Sequence, residues 1–96
     1  MSAYVIVEIE VEDPDAYEEY RPLANASVAR HGGRFLVRGG KSEALEGDWL
    51  GKIVVLEFDD LDAVDTWYHS EDYQACLPIR LRTTRSRMIV VEGYEG

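Results

Sequence analysis

The pattern of apolar and polar positions divides the chain into four short strands and several helical stretches. The first stretch, AYVIVEIEVE, is apolar on both sides from Tyr4 to Val7 and then alternates with glutamates, which is typical of a strand. The same reasoning predicts strands at Arg34–Arg38, Lys52–Phe58 and residues 87–94. Gly39-Gly40 indicates a bulge or bend, after which we expect strand two to resume over residues 42–46.

The first helical region begins at Asp13-Pro14 and ends at His31-Gly32-Gly33. Asp13 is suited to the N-cap and Pro14 to the first helical position, while glycine can adopt the left-handed conformation that ends a helix. Pro22 lies inside the pattern and predicts a kink or a broken first turn. We expect one stripe of this region to be buried, namely Tyr17, Tyr20, Ala24 and Val28.

The second helical region contains two helices. Asp59 or Asp60 can cap the first, over residues 61–69, and Ser70 can cap the next, which continues to about Thr83 with Pro78 inside it. A buried stripe is predicted for the second of these helices, formed by Tyr73, Cys76, Leu77 and Arg80 or Leu81.

The order strand, helix, strand, strand, helix, strand predicts a single domain over residues 1–96 with an α+β, ferredoxin-like split βαβ fold. In this fold the helices cover one face of a four-stranded antiparallel sheet. The other face should be polar in a monomer. We assign to it Tyr4, Ile6, Glu8, Ile53, Val55, Glu57, Met88, Val90 and Glu92, of which six are apolar or aromatic. Such a face predicts a homodimer formed by sheet-to-sheet packing.

Charge and composition narrow the classes of partner and compartment. The formal net charge of -9, from 19 acidic and 10 basic side chains, opposes nucleic-acid binding. No apolar stretch approaches the roughly 20 residues of a membrane-spanning helix, and the start lacks the pattern of a secretion signal. Cys76 is the single cysteine and cannot form an intrachain disulfide. We therefore expect a cytoplasmic protein with no nucleic-acid or membrane partner.

Several blocks together resemble one protein family. They are AYVIVEIEVEDPDAYEEY, RHGGRFLVRGG, ALEGDW, IVVLEF, WYHSEDYQACLPIR and IVVEG, and they cover nearly the whole chain. The sequence resembles the domain of unknown function 1330 (DUF1330), within the dimeric α/β-barrel superfamily of ferredoxin-like folds. The resemblance implies a homodimer whose two sheets face each other, but no established reaction, substrate or cofactor. The wider superfamily includes cofactor-free monooxygenases, lactone isomerases and haem-dependent enzymes, and a fold alone does not fix a function.

The first candidate for chemistry is a pair of carboxylates on the second sheet face. We expect strands one and three to be parallel neighbours, which would place Glu8 and Glu57 near equivalent strand ends. Two carboxylates in a covered interface raise one pKa and create a general acid or base. Arg38 is predicted to lie near Glu57. The alternative interpretation is a salt-bridge network that holds the interface together.

The second candidate is a ligand pocket in which Arg38 or Arg80 binds a polar group and Trp67, Tyr68 and Tyr73 supply walls or hydroxyls. His31 and His69 lack the spacing of a metal site, so no metal and no cofactor are predicted. Two hypotheses remain open. One is a cofactor-independent enzyme or binder of a small aromatic or anionic metabolite, with Glu57 and Glu8 as catalytic candidates; the other is a non-catalytic dimeric module.

Overall fold

The computed structural model describes residues 1–95. The chain forms four strands and four helices, in the order β1 (Ala3–Val11), α1 (Pro14–Tyr17), α2 (Tyr20–Arg30), β2 (Arg34–Arg38), β3 (Lys52–Phe58), α3 (Leu61–Tyr68), α4 (Glu71–Thr83) and β4 (Thr84–Glu92).

The strands form one sheet in the order β2-β3-β1-β4, and all neighbouring pairs are antiparallel. This arrangement confirms the ferredoxin-like α+β fold. The expectation that strands one and three run parallel is wrong. The helical region after β1 returns the chain so that β2 runs in the direction of β1, and the hairpin connection then reverses β3.

Three predicted caps hold the helix starts. The Asp13 carboxylate accepts a hydrogen bond from the Ala16 amide at 3.2 Å, and the Asp60 carboxylate accepts one from the Ala63 amide at 2.8 Å. The Ser70 hydroxyl oxygen accepts from the Tyr73 amide at 3.3 Å. Each cap satisfies an amide that has no partner within its own helix.

Helix and strand bounds differ from the sequence-based expectation at three places. The first helical region is broken at residues 18–19, so that Pro22 lies in the first turn of α2, where its missing amide does no harm. Helix α4 reaches Thr83 across Pro78, which matches the predicted bounds. No strand forms over residues 42–46, because the chain turns away at Gly39 (φ +67°) and stays irregular until β3. Strand β4 begins at Thr84, three residues earlier than expected.

The core lies between the helices and the covered face of the sheet. The buried stripe of α4 is confirmed: Tyr73, Cys76, Leu77 and Arg80 are all buried, whereas Leu81 is exposed. From α2, Tyr20, Ala24 and Val28 are buried, and Tyr17 of α1 is half-buried. Burial raises the pKa of the Cys76 thiol. None of the helices within residues 1–95 is long and apolar enough to span a membrane.

The opposite face of the sheet, here called the uncovered face, is covered by none of the helices within residues 1–95. Its apolar residues are Tyr4, Ile6, Val37, Ile53, Val55, Ile89 and Val91, and its charged residues are Glu8, Glu10, Arg34, Glu57, Arg85 and Arg87. The prediction that Met88, Val90 and Glu92 lie on this face is wrong. Strand β4 pairs Ile89 with Ile6, and a shift of one residue moves every side chain of a strand to the other face.

Candidate functional site

A small cavity lies between α2 and the covered face of the sheet. Its volume is about 70 Å³. All four strands contribute to its floor, α1 and α2 form one wall, and α3 and α4 form its inner end. The lining residues are Val7, Ile9, Tyr17, Tyr20, Arg21, Ala24, Asn25, Val28, Phe35, Arg38, Val54, Leu56, Trp67, Arg80 and Met88.

The charges that line this cavity are all positive. Arg21, Arg38 and Arg80 are among the lining residues, and no aspartate or glutamate is. This is unusual in a chain with 19 acidic and only 10 basic side chains. The cavity therefore has the charge expected of a site for an anion.

Arg80 supplies the innermost of these charges. It lies in the last turns of α4 and is 4% exposed. Its Nε donates to the Tyr73 hydroxyl at 3.3 Å, and one terminal nitrogen donates to the Ser86 hydroxyl at 2.6 Å. Within residues 1–95 it forms no ion pair, and its second terminal nitrogen makes no hydrogen bond. A buried guanidinium without a carboxylate is costly, and a bound anion would offset that cost.

Two tyrosines extend the polar wall beside Arg80. The hydroxyl oxygens of Tyr20 and Tyr73 are 2.8 Å apart, and the two rings meet edge to face. Burial raises the pKa of both hydroxyls, so both stay protonated at neutral pH.

The inner end of the cavity is held by Trp67. Its indole nitrogen donates to the Ser27 hydroxyl at 3.1 Å, and Ser27 in turn donates to the Ala24 carbonyl at 2.8 Å. The ring also packs against Phe58 and Tyr73. Trp67 is thus fixed from several sides, and the shape of the inner end is set by the core.

The mouth of the cavity is formed by exposed side chains. The guanidinium of Arg38 lies 3.7 Å from the centre of the Phe35 ring, and Arg21 pairs with Glu18 at 3.1 Å. The wider opening outside is lined by three cations, Arg21, Arg38 and Lys52, and by one carboxylate, Glu18. Exposed cations at a cavity mouth raise the local concentration of anions.

Four of the five predicted ligand-binding residues lie in or next to this cavity. Arg38, Trp67 and Arg80 line it, and Tyr73 accepts a hydrogen bond from Arg80. Tyr68 does not line it: its ring packs on Trp67 and Tyr73, and it lines a separate groove between α3 and β4.

The geometry expected for the carboxylate pair is wrong. Glu8 faces Ile53 and Glu57 faces Tyr4, so the two carboxylates lie four residues apart along β1, about 13 Å, and cannot share a proton. The expected contact of Arg38 with Glu57 is also absent, because the bulge in β2 places Arg38 opposite Val54 on the covered face.

Each glutamate has its own arginine on the uncovered face. Arg34 Nε donates to Glu57 at 2.7 Å and lowers the pKa of that carboxyl. Arg87 Nε donates to one oxygen of Glu8 at 2.6 Å, while the other oxygen is buried without a hydrogen bond from the described residues. Arg85 pairs with Glu10 at 3.5 Å.

Sequence reasoning missed Tyr20, Arg34 and Ser86 as polar partners. Tyr20 was assigned only to a buried stripe, although a buried tyrosine hydroxyl usually has a hydrogen-bond partner and this could have indicated a polar wall. Arg34 alternates with Phe35 on β2, but only the register of the β2–β3 pair shows that it faces Glu57. Within residues 1–95, no group of three or more His, Cys, Asp or Glu side chains forms a potential metal site.

Comparison with known families places the chain. Residues 2–94 match the family described as domain of unknown function (DUF1330). The chain belongs to the DUF1330 family. The comparison of this DUF1330 protein with curated proteins gives no match.

Solved structures share the fold of this DUF1330 protein at low sequence identity. RPA0582 of Rhodopseudomonas palustris, of unknown function, is 15% identical over 99% of this chain and 84% of its own, with a TM-score of 0.78. A dimeric ferredoxin-like protein of unknown function from Jannaschia sp. CCS1 is 13% identical over 97% of this chain and 100% of its own, with a TM-score of 0.76. SnoaB, a cofactor-independent oxygenase of Streptomyces nogalater, is 15% identical over 99% and 95%, with a TM-score of 0.65. At these identities the likeness shows the fold alone.

Proposed function

We propose that this DUF1330 protein binds a small organic anion in the cavity between α2 and the sheet, as a binder or as a cofactor-independent enzyme. One observation carries the proposal: the buried Arg80 lines the cavity and has no carboxylate partner within residues 1–95. A carboxylate accepts two hydrogen bonds from a guanidinium and supplies the missing charge. The similarity in fold to a cofactor-independent oxygenase is compatible with either role.

The size of the cavity favours an anion of a few heavy atoms over an aromatic ligand. The volume of about 70 Å³ leaves room for a molecule of a few heavy atoms. A dry cavity that accommodates benzene is about twice as large. Of the two metabolite classes predicted from sequence, the anionic one fits better.

The test compares propionate with propionamide, a neutral molecule of nearly the same shape. We expect propionate, and not propionamide, to bind in calorimetry and to raise the melting temperature at constant ionic strength. Arg80→Gln should weaken propionate binding about 10- to 100-fold, because hydrogen bonds to a charged group contribute about 1.5–3 kcal/mol. Arg80→Lys keeps the charge but not the planar fork and should retain part of the affinity.

Arg82→Gln is the matched control, because Arg82 lies on the same helix but is exposed and does not line the cavity. Equal binding of the acid and the amide would refute the proposal. So would an equal loss of affinity in the Arg82 and Arg80 variants.

We also propose that two copies pack through their uncovered faces. Ile89, Val91 and Val37 are 60%, 45% and 41% exposed, and Tyr4, Ile6, Ile53 and Val55 lie beside them without a helix above. Contiguous apolar surface of this kind usually marks an interface. The cross-strand pairs of Arg34 with Glu57 and Arg87 with Glu8 flank this surface. A protein of the same fold is described as dimeric.

With this second proposal, the two functional hypotheses concern different residues on different faces of the sheet. The glutamates belong to the interface, where the alternative of a dimeric module with a salt-bridge network accounts for them. The arginine-lined cavity belongs to ligand binding. A non-catalytic module would keep the dimer and have no ligand for Arg80.

Light scattering at micromolar concentration tests the dimer. We expect a mass of twice 10.9 kDa for the wild type and a monomer for Ile89→Glu, because a charge would be buried without a partner. Leu23→Glu is the control, since Leu23 is 51% exposed on α2 in the helix layer and should leave the dimer intact. A wild-type protein that stays at 10.9 kDa would contradict the proposal.

A further inference from the structure

The neighbours of the Tyr20 hydroxyl determine whether it donates or accepts a hydrogen bond. Tyr73 lies between Tyr20 and Arg80, with its oxygen 2.8 Å from the Tyr20 oxygen and 3.3 Å from Arg80 Nε. Either tyrosine could donate in the contact between them, judged by distance alone. The direction of that hydrogen bond follows from counting donors and acceptors.

A guanidinium can only donate, so the Tyr73 oxygen accepts from Arg80. Tyr73 is 0% exposed, and within residues 1–95 its hydroxyl forms hydrogen bonds only with Arg80 and Tyr20. The hydrogen of Tyr73 must therefore go to the Tyr20 oxygen, because the alternative leaves a fully buried hydroxyl hydrogen without an acceptor. The Tyr20 oxygen thus accepts from Tyr73, and the hydrogen of Tyr20 has no acceptor yet.

The remaining hydrogen of Tyr20 needs an acceptor that the described chain does not provide. Tyr20 is 8% exposed and lines the cavity, and its hydroxyl makes no further hydrogen bond within residues 1–95. The Tyr20 oxygen lies no more than about 6 Å from Arg80 Nε, since Tyr73 bonds to both. One small molecule can therefore reach Arg80 and Tyr20 together.

We propose that the cavity selects 2-oxo carboxylates, with the carboxylate bound by Arg80 and the adjacent keto oxygen accepting from Tyr20, which makes Tyr20 the specificity-determining residue. This inference rests on the proposed function. A keto oxygen fits this position because it accepts from Tyr20 and brings no hydrogen of its own, whereas the hydrogen of a hydroxyl would find only the Asn25 amide oxygen and the tyrosine oxygens as acceptors in the lining.

The experiment measures the affinities of pyruvate, lactate and propionate for the full-length protein by calorimetry. These three acids share a three-carbon skeleton and differ only at the second carbon. We expect pyruvate to bind about 3- to 10-fold tighter than propionate, the range of one neutral hydrogen bond, and lactate to gain less. In Tyr20→Phe the pyruvate-to-propionate ratio should fall to about one.

Tyr17→Phe is the matched control. Tyr17 also lines the cavity and its ring stacks on Tyr20 at 5.5 Å, but its hydroxyl has no hydrogen bond from the described residues that would orient it. This variant should keep the preference for pyruvate. A circular dichroism spectrum and melting curve establish that both variants fold, and Tyr20→Leu provides a second variant without the hydroxyl.

The outcomes distinguish the role of Tyr20 from the proposed binding of an anion at Arg80. If propionate binds through Arg80 but pyruvate binds no tighter, or if Tyr17→Phe and not Tyr20→Phe removes the preference, the assignment of Tyr20 is wrong and anion binding stands. If none of the three acids binds, anion binding at Arg80 and the role of Tyr20 both fail.

Discussion

The hydrogen bond between Trp67 and Ser27 gives a sharp test of how the inner end of the cavity is held. Both residues are buried, with exposures of 1% and 0%, and the Ser27 hydroxyl is the acceptor that the indole N–H reaches. Ser27→Ala removes this acceptor without changing the shape of the core by more than one oxygen atom. The indole N–H is then buried without a partner.

The expected cost follows from two opposing effects. An orphaned buried donor costs about 1–3 kcal/mol. Alanine is more favourable than serine inside a helix by roughly 0.5 kcal/mol, and the Ala24 carbonyl that loses the Ser27 hydroxyl still lies within the hydrogen-bonding pattern of α2. We therefore expect Ser27→Ala to lower the free energy of unfolding by about 1–2 kcal/mol. In a domain of this size each kcal/mol lowers the melting temperature by about 4–8 °C.

Urea unfolding followed by far-ultraviolet circular dichroism, at one fixed protein concentration, measures this change. Trp67→Phe removes the donor, and in the double variant with Ser27→Ala no orphaned group remains. The double variant should cost less than the sum of the single variants by about 1 kcal/mol. Ser42→Ala, in the exposed loop, is the control and should stay within about 0.5 kcal/mol of the wild type. A neutral Ser27→Ala, or strict additivity in the cycle, would refute the reasoning.

Two further predictions concern pH and backbone space. The neighbouring Ser70 hydroxyl and the contact with His31 hold the pKa of Asp72 at about 2, below its value of 3.8 in a free chain. The stability from this depressed pKa is present above pH 4 and is lost as the pH falls toward 2. The free energy of unfolding of Asp72→Asn, measured by urea denaturation at a series of acidic pH values, should therefore decline less than that of the wild type. An equal decline in both proteins would contradict this. Gly33→Ala should destabilise by about 1–3 kcal/mol in the same urea assay, because a Cβ there would come within 2.5 Å of the Phe58 ring, whereas Gly40→Ala, with nothing within 4 Å, should be neutral. Equal stability of the two alanine variants would contradict the packing argument.

The strands, the caps and the fold class could be predicted because each depends on local patterns. Asp13, Asp60 and Ser70 are residue types that satisfy free amides at a helix start, and they do so in the structure. Strand direction and register depend instead on long-range pairing. The predicted register of β4 is wrong by one residue, so that Ile89 and not Met88 lies on the uncovered face. The bulge in β2 places Arg38 at the cavity instead of beside Glu57.

The candidate site was predictable to the extent that it lies on helices. Tyr73 and Arg80 are seven residues apart on α4, a spacing that places them on one face of the helix. In the structure they are joined by a hydrogen bond. The partner Tyr20 comes from α2, 53 residues before Tyr73, and no local pattern brings the two together. The carboxylate pair failed for the same reason, because it depended on the relative direction of two strands.

Trp67 belongs both to the cavity wall and to the aromatic cluster with Phe58 and Tyr73. A substitution of Trp67 that reshapes the inner end of the cavity therefore also disturbs the packing of the core. This end of the cavity can vary little between proteins that keep this fold. Arg21 and Arg38 are exposed at the entrance and can be exchanged at small energetic cost. Substitutions at the entrance would therefore change the lining of the cavity at a smaller cost to stability than substitutions at its inner end.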